Sequence, residues 1–500
     1  MKNTKWAAAL LALPLALAGC AGDGGAGAAT GESTLRWAVT LPAHWDPVVS
    51  GSGAQFRILS LAYASLTEIN EKGEAVPSLA ESWDYNDKGD QITFHLRKGL
   101  KFTDGEPLNA AAIKSYLERA KTQKDSALFG DLTSIKTVTA ANDTDVVIDL
   151  TQTDFQIPLL LGERVAQIPS PKAAADPAAL DKNPVGAGPF VVTENVPGSH
   201  VYLKKNPDYW DAANIKIDKV ELLSAPDAAT IVSGVQTGVY DLAGLTPNQI
   251  KAAEASKLDV VIQPGYNAAN ISININKKPF DNPKVVDAVR HATNRQEFVD
   301  KVTFGSGTAT DQPFPSNYLA YDQQSANRWP YDVEKAKSLL AEAGYQPGDI
   351  KVDLVISAQS TAAEIIQSQL GAAGITVNIK VDPNWATPFF AKDLALSIYG
   401  TTGRESPVQT LTAHFGPNGP LNLSTPYEPA GFEAAVATAR STPLDSPDYQ
   451  KNLQAATRAG LESQALVFTY SQPNLFVKSP KVSDFAPIPG QLHWTGLTVG

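Results

Sequence analysis

Cysteine occurs once in the 500 residues, at position 20. A chain with a single thiol closes no internal disulfide, so its fold is held by buried apolar surface and hydrogen bonds alone. The stretch behind Cys20 is long enough to supply that burial, because the fraction of surface removed from water rises with chain length. Hydrophobic residues make up 43% of the chain and charged residues 19%, the proportions of an ordinary globular protein. Length points to two or three structural domains.

Cys20 also closes a segment of a different kind. Lys2 and Lys5 precede an apolar run from residue 6 to residue 18, which reads as a secretory signal over 1–19. The run is too short to span a bilayer and contains Pro14. Its last residues, Leu17, Ala18, Gly19 and Cys20, resemble the lipobox of bacterial lipoproteins. That resemblance implies a diacylglycerol on Cys20, which becomes the mature N-terminus at the outer face of the cytoplasmic membrane. Residues 20–33, rich in Gly, Ala, Ser and Thr, bury too little apolar surface to fold and read as a flexible tether. Cleavage after residue 19 leaves 39 basic against 52 acidic side chains, a net charge of −13. Such a body is a poor partner for nucleic acid.

Along the body, α and β patterns mix. Ile92, Phe94 and Leu96 alternate with Thr93, His95 and Arg97, the period of a strand. A helix is expected over 110–121, strands over 146–150, 190–193, 201–204 and 220–223, and a helix over 227–237. A strand over 270–275 leads to Asn282, a good N-cap, and Pro283 at the first helical position. A second helix starts at Asp332 and stops at Gly344. Residues 352–356, 361–373 and 376–381 read as strand, helix and strand, a crossover in a partly parallel sheet.

Enzyme signatures are scarce. G-x-S-x-G, H-E-x-x-H and G-x-x-x-x-G-K-[ST] do not occur, although paired carboxylates would leave no local trace. The six histidines, at 44, 95, 200, 291, 414 and 493, share no spacing that puts two on one helix face, so no metal and no other cofactor is expected. Asp104 and Glu106 in F-T-D-G-E-P read as a turn rather than a catalytic pair, and Tyr209 and Trp210 as core closure rather than ligand contacts.

Two segments carry a specific resemblance: P-S-L-A-E-S-W at 77–83 and F-H-L-R-K-G-L-K-F-T-D-G-E-P-L at 94–108. With G-A-G-P-F at 186–190, K-N-P-D-Y-W at 205–210, Q-T-G-V-Y-D-L at 236–242 and the helical segments at 278–295 and 332–345, in that order, the chain resembles the family 5 solute-binding proteins of ABC importers. That family includes oligopeptide-, dipeptide- and nickel-binding members. The resemblance implies a two-lobed α/β fold of the periplasmic-binding-protein kind (type II, cluster C) with a hinge and an interlobe ligand cleft. It divides the body into a first region of 34–66, 185–268 and 475–500, a second of 67–184 and a third of 269–474. It implies a monomer outside the cytoplasm that captures a small solute, peptide-like in most of the family, and hands it to a permease without chemical turnover. A lipid-anchored hydrolase of peptides or oligosaccharides is the competing reading, and a ligand-free surface scaffold a third.

Within the resemblance, Arg164 follows an apolar run where the second region approaches the cleft, and could hold an anionic group bidentately or pair with Glu163. Peptide-binding members place a Trp, and three residues on an aspartate for the peptide's α-amino group, after the strand corresponding to 394–399. Here Tyr399 and Thr402 stand at those places, with Arg404 and Glu405 just beyond. Thr402 cannot pair with an ammonium, so weak dependence on a free N-terminus is expected, unless a shifted alignment gives Glu405 that role. Arg404 instead suits a carboxylate or hydroxyl.

Overall fold

The computed structural model describes residues 32–500 except 51–52, 163, 226, 267, 402–403 and 491. The signal segment, Cys20, the tether up to residue 31, Glu163 and Thr402 lie outside the described residues.

Among the described residues the strands gather into three main sheets. The first orders seven strands as Asp259–Gln263, Asn474–Lys478, Leu242–Gly244, Thr34–Val39, Lys219–Ser224, His200–Lys205 and Phe190–Val196. Thr34–Val39 runs parallel to both neighbours, with Trp37 opposite Leu222 on one side and Leu242 on the other. The second sheet is an antiparallel set of four, Ala80–Tyr85, Gln91–Leu96, Asp145–Leu150 and Ile135–Ala140. The alternation read in the sequence fixes its inner face: Ile92, Phe94 and Leu96 are buried, and the helix Ala110–Thr122 begins beside them with the Asn109 side chain accepting from the Ala112 amide. The third sheet has six strands, Thr308–Ala309, Leu466–Ser471, Ala268–Ile273, Leu396–Thr401, Lys351–Ile356 and Thr376–Val381.

Local signals hold where they are complete in themselves. Asn282 caps Pro283–Ala292 by accepting from Lys284 N, and Asp332 caps Val333–Glu342 by accepting from Lys335 N. The latter helix ends before Gly344, whose φ of +88° suits glycine. Lys351–Ile356 and Thr376–Val381 pair in parallel through the helix Thr361–Ala373, as the crossover pattern predicts. Gly105, with φ +85°, turns the chain as expected of the Asp104-Gly105 pair. Tyr209 is buried in the first core, and Trp210, half-buried against that core, lies under the Arg97 guanidinium at 4.1 Å.

Two elements differ from their sequence patterns. The helix expected over 227–237 begins as a 3-10 turn, Ala228–Thr230, because Asp227 accepts from Ala229 N, and turns α-helical only over Ile231–Gln236. The strand expected over 270–275 ends at Ile273, since the Asn274 side chain accepts from Asn276 N and donates to Lys392 O, turning the chain out of the ladder.

Burial separates two lobes. One pair of apolar clusters draws on residues 35–258 and 475–497, the others on residues 268–468. The chain passes between them twice, once between Asp259–Gln263 and Ala268–Ile273 and once between Leu466–Ser471 and Asn474–Lys478. Each passage carries a proline, Pro264 and Pro473, which removes a ladder donor where the strands change sheet.

Candidate functional site

The two lobes face each other across a cavity of about 910 Å³, within the range of small-molecule sites. From the second lobe the wall is the start of the helix Pro407–Phe415. Its N-cap, Ser406, accepts from Gln409 N, and Pro407 takes the first position, where no amide is needed. From the first lobe the wall is the 3-10 turn Phe129–Leu132 and the loop leading into the short helix Ile157–Leu160. There the Asp154 carboxylate accepts from Gln156 N, which holds the backbone at the start of that helix.

Polar groups from both lobes meet at this wall. Asp131, 8% exposed, is ion-paired to Arg164 of its own lobe and lies 3.4 Å from Arg404 Nη2 of the other. Gln409 Nε2 donates to the backbone oxygen of Asp131 at 3.1 Å. Gln156 Oε1 accepts from Ser406 Oγ at 3.2 Å and from Tyr449 OH at 3.0 Å. Arg440 Nε stands 3.8 Å from Asp154 Oδ2, and Phe155 N donates to Arg440 O at 3.0 Å.

Burial pushes the Arg404 pKa down, with Asp131 opposing and the neighbouring Arg164 adding to the fall. For Arg164 burial pulls the same way but is outweighed by Asp131 and Glu405, so its pKa rises. Desolvation raises Asp154 despite Arg440. The site is therefore a set of arginines and carboxylates held out of water, where each charge depends on its partner.

Of the residues singled out in the sequence, Arg404 lines the cavity. Arg164 is buried behind Asp131, with its guanidinium 5.5 Å from the Phe56 ring centroid, not a solvated loop charge. Glu405 is buried and close enough to both arginines to act on their ionisation. Tyr399 is half-buried against Phe389, ring centroids 5.2 Å apart and stacked, and against Trp385 at 5.9 Å. Thr402 is outside the described residues. Asp131, Asp154, Gln156, Gln409 and Arg440 were not legible as a group, since their partners lie in distant segments.

Behind this wall His414 is buried, its Nδ1 2.7 Å from Thr410 O and its ring 5.5 Å from that of Phe468. Burial pushes its pKa down to about 4, against about 6.5 in an unfolded chain. As pH falls below about 6.5 the unfolded chain takes up a proton that the fold refuses, so stability should drop, by up to about 3 kcal/mol near pH 4. Urea unfolding at several pH values should show this slope, reduced in His414→Gln. An identical slope in the variant would assign it to another group.

Comparisons place this geometry among known proteins. Residues 74–421 match the family model for bacterial extracellular solute-binding proteins, family 5 Middle. The chain is 30% identical over 424 residues to heme-binding protein A of Haemophilus influenzae, covering 75% of this chain and 76% of that one. It is 29% identical over 446 residues to the glutathione-binding protein of Salmonella typhimurium, covering 85% of each. Among solved structures it resembles HbpA2 from Haemophilus parasuis, with a TM-score of 0.79 at 26% identity over 93% of this chain and all of that one. The periplasmic binding protein DppA from Helicobacter pylori, solved with the peptide STSA, shares the fold, with a TM-score of 0.81 at 22% identity over 94% and 98%.

Proposed function

The chain belongs to the bacterial extracellular solute-binding proteins, family 5, and from that premise we propose that the solute it captures is a peptide or a peptide-like compound. As a member it is the extracytoplasmic solute-binding component of an ABC importer. The observation that carries the proposal is the cavity of about 910 Å³ between two lobes that own separate cores and are joined by two short passages. Bending at those passages would widen it, and a solute touching both walls favours the closed arrangement. The three regions set out from the sequence are the bodies we propose to move. We also propose that the protein is monomeric, performs no turnover and is held at the membrane by lipid on Cys20.

Purified protein incubated with short peptides should show a raised melting temperature and no product. A ligand present at a hundred times its Kd stabilises by about 2.7 kcal/mol. Steady product formation would replace the transport reading by the hydrolase one.

Arg404 at the wall favours a carboxylate, carbonyl or hydroxyl over an ammonium. Calorimetry with a tripeptide and its N-acetylated form is therefore expected to give affinities within about threefold, a difference of well under 1 kcal/mol. A loss of tenfold or more on acetylation, abolished by Glu405→Ala, would mean that Glu405 reads the amino group.

A further inference from the structure

Two glutamines on opposite walls of the cavity each have one end of the amide held by protein and the other buried without a partner among the described residues. Gln409 donates through Nε2 to the Asp131 backbone oxygen at 3.1 Å. A carbonyl only accepts, so this bond fixes the amide's orientation and leaves Oε1, buried and without a partner, as an acceptor. Gln156, 3% exposed, has Oε1 engaged by Ser406 and Tyr449 of the opposite lobe, and its Nε2 is buried without a partner. Both residues line the cavity.

A buried donor or acceptor left unmade is costly, and an orphan of each kind at one site asks for a ligand offering the complement of each. The lining carboxylates Asp131 and Asp154 already face arginines, whereas the two glutamine ends are neutral, and a peptide group supplies a neutral donor and a neutral acceptor together. We propose that Gln409 and Gln156 are specificity-determining residues that read a peptide group of the solute. Its N–H donates to Gln409 Oε1, and a carbonyl accepts from Gln156 Nε2. This deepens the peptide reading above and rests on it. Since Gln156 is oriented by two hydroxyls of the facing lobe, its donor is set in place only when the lobes are together, which couples recognition to closure.

The test is calorimetry with Ala-Ala-Ala and the two depsipeptides in which one amide N–H is replaced by an ester oxygen. With wild-type protein, one ester should bind at least about tenfold more weakly, because the lost donor leaves Gln409 Oε1 facing an oxygen. In Gln409→Leu, Ala-Ala-Ala should weaken similarly and the ester penalty shrink below about threefold, whereas Gln409→Glu, which keeps an acceptor, should retain a penalty. Gln156→Leu should weaken the tripeptide and both esters alike, since all keep their carbonyls. Melting curves of each variant separate loss of contact from loss of fold, and the Gln409→Glu arm stands if Gln409→Leu does not fold. Esters that bind as well as the amide, or a penalty undiminished in Gln409→Leu, would overturn this inference and leave the peptide reading standing. Failure of Ala-Ala-Ala to bind at all would remove both.

Discussion

Replacing Arg164 by methionine is expected to cost the fold about 3 kcal/mol, because it strands a carboxylate that is out of water. Asp131 is 8% exposed and Arg164 11%, so neither can exchange its partner for solvent without moving. Arg404 remains at 3.4 Å from Asp131, which holds the loss to the lower end of what a broken buried pair costs. Pairing Arg164→Met with Asp131→Asn should restore most of the stability, since removing both charges removes the desolvation cost of each. Urea unfolding of the two single variants and the double gives the coupling directly. Additive losses would mean that the pair contributes nothing to the fold. The same Arg164 variant also bears on binding: if its affinity for a tripeptide equals that of wild type, Arg164 serves Asp131 alone and does not act on the solute.

Cys20→Ala should transfer the protein from the membrane to the soluble fraction completely. Two acyl chains on one cysteine, at about 0.8 kcal/mol per buried methylene, hold a protein firmly. The chain's net charge of −11 is repelled by anionic lipid, and no helix among the described residues is long and apolar enough to cross a bilayer. Fractionation followed by an alkaline wash reads the outcome. A variant that stays with the membrane through the wash would refute the lipid anchor.

What could be read from the sequence follows the range of each interaction. The Asn282 and Asp332 caps and the 92–94–96 alternation are specified within a few residues of where they act, and the 352–381 crossover within one strand–helix–strand unit. They required no knowledge of the rest of the chain. The cleft is different in kind. Gln156 meets Ser406 across 250 residues and Tyr449 across 293, and such partners leave no spacing to recognise. Arg404 was legible only through resemblance, and the role assigned to Thr402 depends on an alignment through a segment outside the described residues. Tyr399 shows the limit of position alone. Resemblance to peptide-binding members set it at the place of a Trp, and says nothing of Phe389 and Trp385, supplied by the preceding helix and turn, which pack against its ring.

The strand Asn474–Lys478 lies inside the first sheet, antiparallel to Asp259–Gln263 on one side and Leu242–Gly244 on the other. A chain synthesised from its N-terminus therefore carries two open strand edges with nothing between them until residues 474–478 emerge. Long-range pairing of this kind is slow, because the intervening loop must be closed before any contact rewards it. The first lobe consequently cannot complete its main sheet until residues 474–478 have been made. That delay suits a polypeptide that must be threaded through a membrane before it folds. It also makes the strand Asn474–Lys478 a checkpoint, since a chain stopped before residue 474 exposes two unpaired edges to aggregation and proteolysis.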